Sequence, residues 1–294
     1  MKKITLIIPL DPKKEVEFLD SVLEQKSTVK MIIERGNNPS RNRNRGICKA
    51  KSEFIAFINA HTLLSPDWSG KVLKFFKNHH EIDIVGGPQL HYKKDNLFAK
   101  ASSYALSSPF GTAYVYSRYS KGQMNLHADE TYLTSANLIC KKKVVNKIKF
   151  DESLYPGEDP KFIRDAIKKG FRIAYSPDII VYNRKRSDIF SLAKQIFNYG
   201  RVRPKKESLK ETLYKPYFLI PSFFVVYLAF LPLLTYFNYW LLLPLSFYLS
   251  LNIVFSYYEA VRRKSMLIFY LLPFIFFVIH FSYGAGFIYG ILKK

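Results

Sequence analysis

Apolar and polar positions alternate in blocks over the first 200 residues. "ITLIIPL" (4–10) is a short, almost continuous apolar run and reads as a buried strand. "KKEVEFLDSVLEQK" (13–26) changes period: Val16, Leu19, Val22 and Leu23 recur at helical spacing and predict a helix. "VKMIIE" (29–34) and "EFIAFIN" (53–59) are further strands. Between them "SRNRNRGICKAKS" (40–52) reads as a helix capped by Ser40. "PDWSGKVLKFFKNH" (66–79) reads as a helix with Pro66 at its first position, and "IDIVGGPQL" (82–90) as a fourth strand. Residues 91–150 are less regular; "YLTSANLICKK" (132–142) reads as a strand, and 142–154 as a short helix and turn. In "YPGEDPKFIRDAIKKGF" (155–171), Phe162, Ile163, Ala166 and Ile167 form a helical stripe that Gly170 ends. Two short strands follow in 171–186. "SDIFSLAKQIFNYG" (187–200) then reads as an amphipathic helix from Ser187 to Gly200, suited to lie along a membrane surface.

Strands alternating with helices at this spacing predict an α/β fold with a mostly parallel sheet flanked by helices. In such sheets ligands bind beyond the carboxyl ends of the strands. The polar tips at Asp11, Glu34–Asn38 and Asn59–His61 are therefore expected to converge.

From Tyr217 onward the pattern ceases to be that of a charged soluble protein. The runs 217–237, about 239–258 and 266–292 are apolar and each is long enough for a bilayer, which needs about 20 residues. Three transmembrane helices are expected. The alternative is two spans plus a re-entrant or surface helix, because Pro221, Pro232, Pro244 and Pro273 interrupt the runs. This divides the chain into an α/β domain (1–200), a basic juxtamembrane linker (201–216) and transmembrane helices (217–294). Lys and Arg cluster at 205–215 and at 262–264, whereas the turn 237–240 is uncharged. The positive-inside rule then predicts a multi-pass protein of the inner, cytoplasmic membrane with residues 1–216 facing the cytoplasm. Lys293 and Lys294 would lie outside, against that rule. The N-terminal apolar stretch is too short for a signal peptide and runs straight into charge.

The charge balance sharpens the partner classes. Lys+Arg number 45 against 23 Asp+Glu, a formal net charge of +22. A basic face suits anionic lipid or an anionic substrate. No nucleic-acid partner is expected, because "RNRNRG" (41–46) comes without any RNA- or DNA-binding motif. Two cysteines, Cys48 and Cys140, are too few for a disulfide framework. Glycine-rich dinucleotide and P-loop motifs, zinc-spaced clusters and a G-x-S-x-G elbow are absent from the sequence.

The chemistry-bearing candidates are few. Glu158 and Asp159 open the predicted helix after Pro156-Gly157. Acids there can be plain helix-dipole partners, but a carboxylate on a tight turn is also placed to act as a general base. His280, within the third apolar run, reads as a hydrogen bond between helices, and Glu259 beside Arg262 and Arg263 as an interfacial ion pair.

The stretches "ITLIIPL", "GNNPSRNRNRGICKAKSEFIAFINAH", "SPDW", "DESLYPGEDPKFIRDAIKKGFRIAYSPDIIVYNR" and "KQIFNYGRVR" follow one another along the chain. In this order and spacing they resemble glycosyltransferase family 2, most closely its membrane-anchored branch typified by succinoglycan-biosynthesis enzymes. The resemblance implies a GT-A-like fold. It also implies an inverting transfer of sugar from a nucleotide-diphosphate sugar to a hydroxyl of a lipid-linked or cell-envelope polysaccharide acceptor. Asp159 would be the general base and Glu158 would orient it or bind acceptor. Pro9, Asp11, Glu34, Arg45 and Asn59 would contact the nucleotide sugar, and Arg201 and Arg203 would pair with its diphosphate. The family's metal motif is acidic, whereas this chain reads Asn59-Ala60-His61. His61 is the one expected ligand for Mn²⁺ or Mg²⁺, and metal dependence is expected to be weak. A catalytically silent relative, binding partners in a polysaccharide assembly complex, is the alternative.

Overall fold

The computed structural model describes residues 3–25, 28–206 and 215–293. They fall into two compact units, one of residues up to 93 with 114–184, the other of 94–113 with 185 onward. Most of the predicted juxtamembrane linker, 207–214, lies outside the described residues.

The first unit holds a six-stranded sheet. Its strands are β1 (Ile4–Leu10), β2 (Val29–Arg35), β3 (Phe54–Ile58), β5 (Ile84–Gly86), β7 (Asn137–Lys141) and β8 (Ile173–Tyr175). They lie in the order β2-β1-β3-β7-β5-β8. All run parallel except β7, which is antiparallel to both of its neighbours. A three-stranded sheet joins β4 (Thr62–Leu64), β9 (Val181–Asn183) and β6 (Gln89–His91) in that order.

Successive strand residues point to opposite faces, and here both faces are covered. Ile4, Leu6 and Ile8 of β1 and Ala56 and Ile58 of β3 pack with Val22, Trp68, Val72 and Phe76. Those partners come from α1 (Leu19–Leu23) and α3 (Trp68–Asn78). Ile7, Ile55 and Phe57 pack the other way, against Ile47, Val144, Phe162 and Ile163. These belong to α2 (Pro39–Lys49), α6 (Lys142–Lys147) and α7 (Glu158–Lys168). The continuous apolar runs seen in the sequence are the signature of this two-sided burial.

Several boundaries differ from the sequence pattern, each for a local reason. The helix predicted over 13–26 is only Leu19–Leu23, because the Asp11 side chain takes the Lys13 amide in a turn and the Glu17 amide bonds the Ala60 carbonyl. α2 is capped by Asn38, whose side chain accepts the Arg41 amide; Ser40 is buried in the first turn. α3 starts at Trp68 with Asp67 as its cap, so Pro66 precedes it. The run 82–90 is two strands, β5 and β6, in different sheets, broken at Gly87-Pro88.

The second unit contains α4 (Leu97–Leu106), α5 (Pro109–Thr112) and α8 (Ile189–Lys206). Among the described residues it also holds three helices long and apolar enough to cross a membrane: Pro216–Phe237, Tyr239–Arg262 and Leu272–Leu292. α8 differs from its predicted form at both ends. Asp188, not Ser187, caps it by accepting the Ser191 amide, and it runs through Gly200 to Lys206 with Pro204 inside. Gly200 is a packing residue: a Cβ there would come 2.1 Å from the Tyr283 carbonyl oxygen. His280 accepts from the Tyr248 hydroxyl at Nδ1 (3.0 Å) and donates from Nε2 to the Phe110 carbonyl (2.8 Å). Glu259, fully buried, pairs with Arg262 at 2.7 Å. Both match the structural roles expected of them.

Candidate active site

The parallel register brings the predicted tips together. Pro9 sits opposite Glu34 and Leu10 opposite Arg35 at the carboxyl ends of β1 and β2. β3 pairs on the other side of β1, and Asn59 follows its last residue directly. Asp11, one residue past β1, is exposed. Glu34 is buried and paired with Lys49 at 2.6 Å.

Neutral hydrogen bonds hold Asn59 and Ala60 at the tip. The Asn59 amide donates to the Thr62 hydroxyl (3.3 Å), which donates to Asn183 (2.5 Å). Asn183 donates to Gln89 at 2.9 Å, and the Ala60 carbonyl takes the Glu17 amide at 2.9 Å. The small sheet of β4, β9 and β6 thus fixes the tip from below. Asn59 and His61 bring an amide and an imidazole. Among the described residues no three His, Cys, Asp or Glu side chains gather as a metal site. The protein side chains at this tip therefore do not amount to a complete ligand set for Mn²⁺ or Mg²⁺.

The acid pair lies at the start of α7. Gly157, with φ 119°, makes the left-handed turn that enters the helix. Its amide donates to Glu158 Oε2 at 3.0 Å. Arg43 of α2 reaches across to donate to Glu158 Oε1 at 2.9 Å, with Asp159 Oδ1 at 3.9 Å. Arg43 is 3% exposed and lies over the Phe150 ring at 5.2 Å. Three more links fasten α2 to the stretch before α7. Asn44 exchanges hydrogen bonds with the Phe150 backbone, Arg41 pairs with Glu152 at 2.9 Å, and Asn38 bonds the Glu152 carbonyl.

The two acids differ. Glu158 is enclosed, its side chain 5% exposed, while Asp159 is 20% exposed. Asp159 Oδ1 is buried and has no hydrogen-bond partner. Burial, and then the neighbouring Asp159, push Glu158 up to about 7, against the pull of Arg43. Lys161, the next cation along α7, turns away along the helix to Asp165 at 2.7 Å.

Sequence reasoning placed Arg45 in the site and missed Arg43. Arg45 is exposed on α2. A readable signal did exist: Ser40, Arg43, Gly46, Ile47 and Ala50 share the buried stripe of α2, and an arginine on such a stripe requires a buried acid. Arg201 and Arg203 belong to α8 in the second unit. Arg203 is buried, its guanidinium 3.5 Å from the Phe218 ring centroid.

An α/β domain with converging strand tips and a braced acid pair is the frame of a GT-A-like enzyme. Residues 4–149 match the family model described as glycosyl transferase family 2, and through this stretch the chain belongs to that family. Its relatives are remote. The pre-mycofactocin glycosyltransferase of Mycobacterium tuberculosis is 21% identical over 168 residues, which are 56% of this chain and 34% of that protein. The chain thus spans about a third of the length of that curated relative. Among solved structures, the mannosyltransferase PcManGT from Pyrobaculum calidifontis, in complex with GDP-Man and Mn²⁺, shares the fold with a TM-score of 0.58 at 12% identity. That likeness covers 99% of this chain and 88% of the other. TarS 1–349 of S. aureus, in complex with UDP-GlcNAc, has a TM-score of 0.47 at 14% identity, covering 69% of this chain and 67% of that one.

Proposed function

We propose that the protein is an inverting glycosyltransferase that moves a sugar from a nucleotide-diphosphate sugar to a hydroxyl of a lipid-linked or cell-envelope glycan. The observation that carries this reading is the asymmetric acid pair, in which Glu158 is locked to Arg43 while Asp159 keeps a carboxylate oxygen without a hydrogen-bond partner. A buried unpartnered oxygen invites a functional explanation. In the proposed reaction Asp159 takes the proton of the acceptor hydroxyl as its oxygen attacks the anomeric carbon. The bond from that carbon to the nucleoside diphosphate breaks in the same displacement, and the configuration inverts. Arg43 and Glu158 hold Asp159 at the start of α7. Pro9, Asp11, Glu34, Arg45 and Asn59 form the donor-facing set, with Arg201 and Arg203 as further diphosphate partners. When bound, a divalent cation with His61 as its protein ligand would offset diphosphate charge.

Family membership, the GT-A-like fold and the three apolar helices support this reading. The nucleotide sugar named with PcManGT belongs to the same donor class. We further propose an inner-membrane location with residues 1–216 facing the cytoplasm, from the placement of basic loops. The test is a screen of labelled nucleotide sugars with purified protein and membranes, with Mn²⁺, with Mg²⁺ and with chelator. Transfer to a lipid-extractable or glycan product supports the reading, and no transfer from any donor contradicts it. The lack of a carboxylate at Asn59 favours one rival, a silent relative that binds assembly partners. Donor-dependent turnover by the purified chain would rule that rival out.

A further inference from the structure

The three apolar helices are not alike. Protein buries 39% of the most apolar stretch of Leu272–Leu292, against 6% and 11% for the other two. Its uncovered positions include Phe274, Phe277 and Phe281, spaced three and four apart as a single stripe.

Its long neighbour is α8, running in the same direction. Phe197 lies against Gly286, Gly200 against Tyr283 and Phe287, and Arg201 against Gly290. A Cβ at Gly200, Gly286 or Gly290 would come within 2.1, 2.1 or 2.2 Å of a carbonyl oxygen of the facing helix, so the backbones touch. α8 is not a bilayer helix. It carries exposed Lys194 and Lys205 and half-buried Arg201 within one apolar–polar pattern. If Leu272–Leu292 crossed the bilayer, α8 would be drawn in beside it, carrying its charges into the hydrocarbon.

The contact register also opposes a third span. The first two apolar helices reverse on one another: Phe224 meets Tyr248 at 4.4 Å, and the Tyr227 hydroxyl bonds the Leu241 carbonyl. Yet each runs counter to Leu272–Leu292. Phe218 meets Tyr283 and Phe224 meets Phe277, while Tyr248 meets His280 and Asn252 meets Pro273. Three helices cannot all be mutually antiparallel. Pro221 and Val225 both sit on Gly284, as expected at a steep crossing.

We propose that Leu272–Leu292 and α8 form a platform that lies in the bilayer interface, and that the chain crosses the membrane only twice. The phenylalanine stripe dips into the acyl boundary, and Lys194 and Lys205 meet anionic headgroups. Lys293 then returns to the side from which the chain enters at Pro216, which removes the conflict with the positive-inside rule. This placement does not depend on the chemistry proposed for Asp159.

Two measurements on the full chain in membranes test it. Exposed Cys48 is a built-in reference for the entry side. A Lys293→Cys variant treated with an impermeant maleimide is expected to label from the same side as Cys48, and an Asn238→Cys variant from the opposite side. Labelling of position 293 from the side of position 238 would overturn the proposal. In the second measurement, nitroxides are attached through Phe274→Cys and Phe281→Cys on a Cys48→Ser background. The platform places both labels at the same depth. A spanning helix separates them by about 10 Å, at about 1.5 Å of rise per residue, and that result would also overturn it.

Discussion

The two ends of the candidate site are built from different materials. At the start of α7, two carboxylates are braced by a buried guanidinium, and α2 is fastened there by Asn38, Arg41, Arg43 and Asn44. At the tip of β3, the Asn59 backbone is held by the Thr62 hydroxyl, itself bonded to the Asn183 amide and through it to Gln89, and the residue at the strand's end is an amide where an acid could stand. Buried charge is concentrated at the start of α7, where the proposed base Asp159 lies. At the tip of β3 the residue directly after the strand is the neutral Asn59. On the proposed reading, acceptor activation and metal binding are separable demands on this fold, and the braced acids of α7 serve the first.

The comparison breaks most visibly at Arg43. Arg43→Leu leaves Glu158 buried beside Asp159 without its cation. It is expected to cost about 3–5 kcal/mol of stability, read as a lower melting temperature in detergent, with Arg43→Lys intermediate. If Arg43→Leu melts like the wild type, the brace is not structural.

Glu158 gives a pH signature. Its folded value of about 7 lies above the ordinary 4.5, so the folded state holds the proton through that window. Its contribution is full below about 4.5 and is lost as pH rises towards 7 and beyond, by up to about 3 kcal/mol. Relative to Glu158→Gln, the wild type should therefore lose stability between pH 5 and 8 in parallel thermal melts. A pH-independent difference would contradict the assignment.

Smaller effects belong to the neutral end. Asn59→Asp restores a carboxylate and is expected to raise Mn²⁺ stimulation of transfer on the order of tenfold. His61→Ala should remove what metal stimulation the wild type shows while leaving metal-free turnover within a few fold. Tight Mn²⁺ binding that survives His61→Ala would overturn the assignment of His61.

Much of this contrast can be read from the residues. β1, β2 and β3 stand where their apolar runs place them, because strands buried on both faces leave little freedom in register, and their tips converge as parallel topology requires. Gly157, Glu158 and Asp159 were legible as a turn followed by a helix start. Arg43 was harder to single out, since in "RNRNRG" three arginines alternate and only its place on one stripe with Gly46 and Ile47 distinguishes the middle one. The reversed direction of β7 and the grouping of residues 94–113 with the apolar helices rest on long-range contacts that no local period encodes. Gly200 showed the same limit: a glycine near the end of a periodic stretch reads as a stop, but here it is the contact point of two backbones.

The most direct test of the account is a paired measurement on Asp159→Asn, once a donor has been found. Donor affinity and single-turnover transfer are measured side by side with the wild type. The account predicts unchanged donor affinity and a transfer rate lower by about 10²–10⁴-fold, the usual loss of a general base. Transfer at the wild-type rate by Asp159→Asn would contradict it.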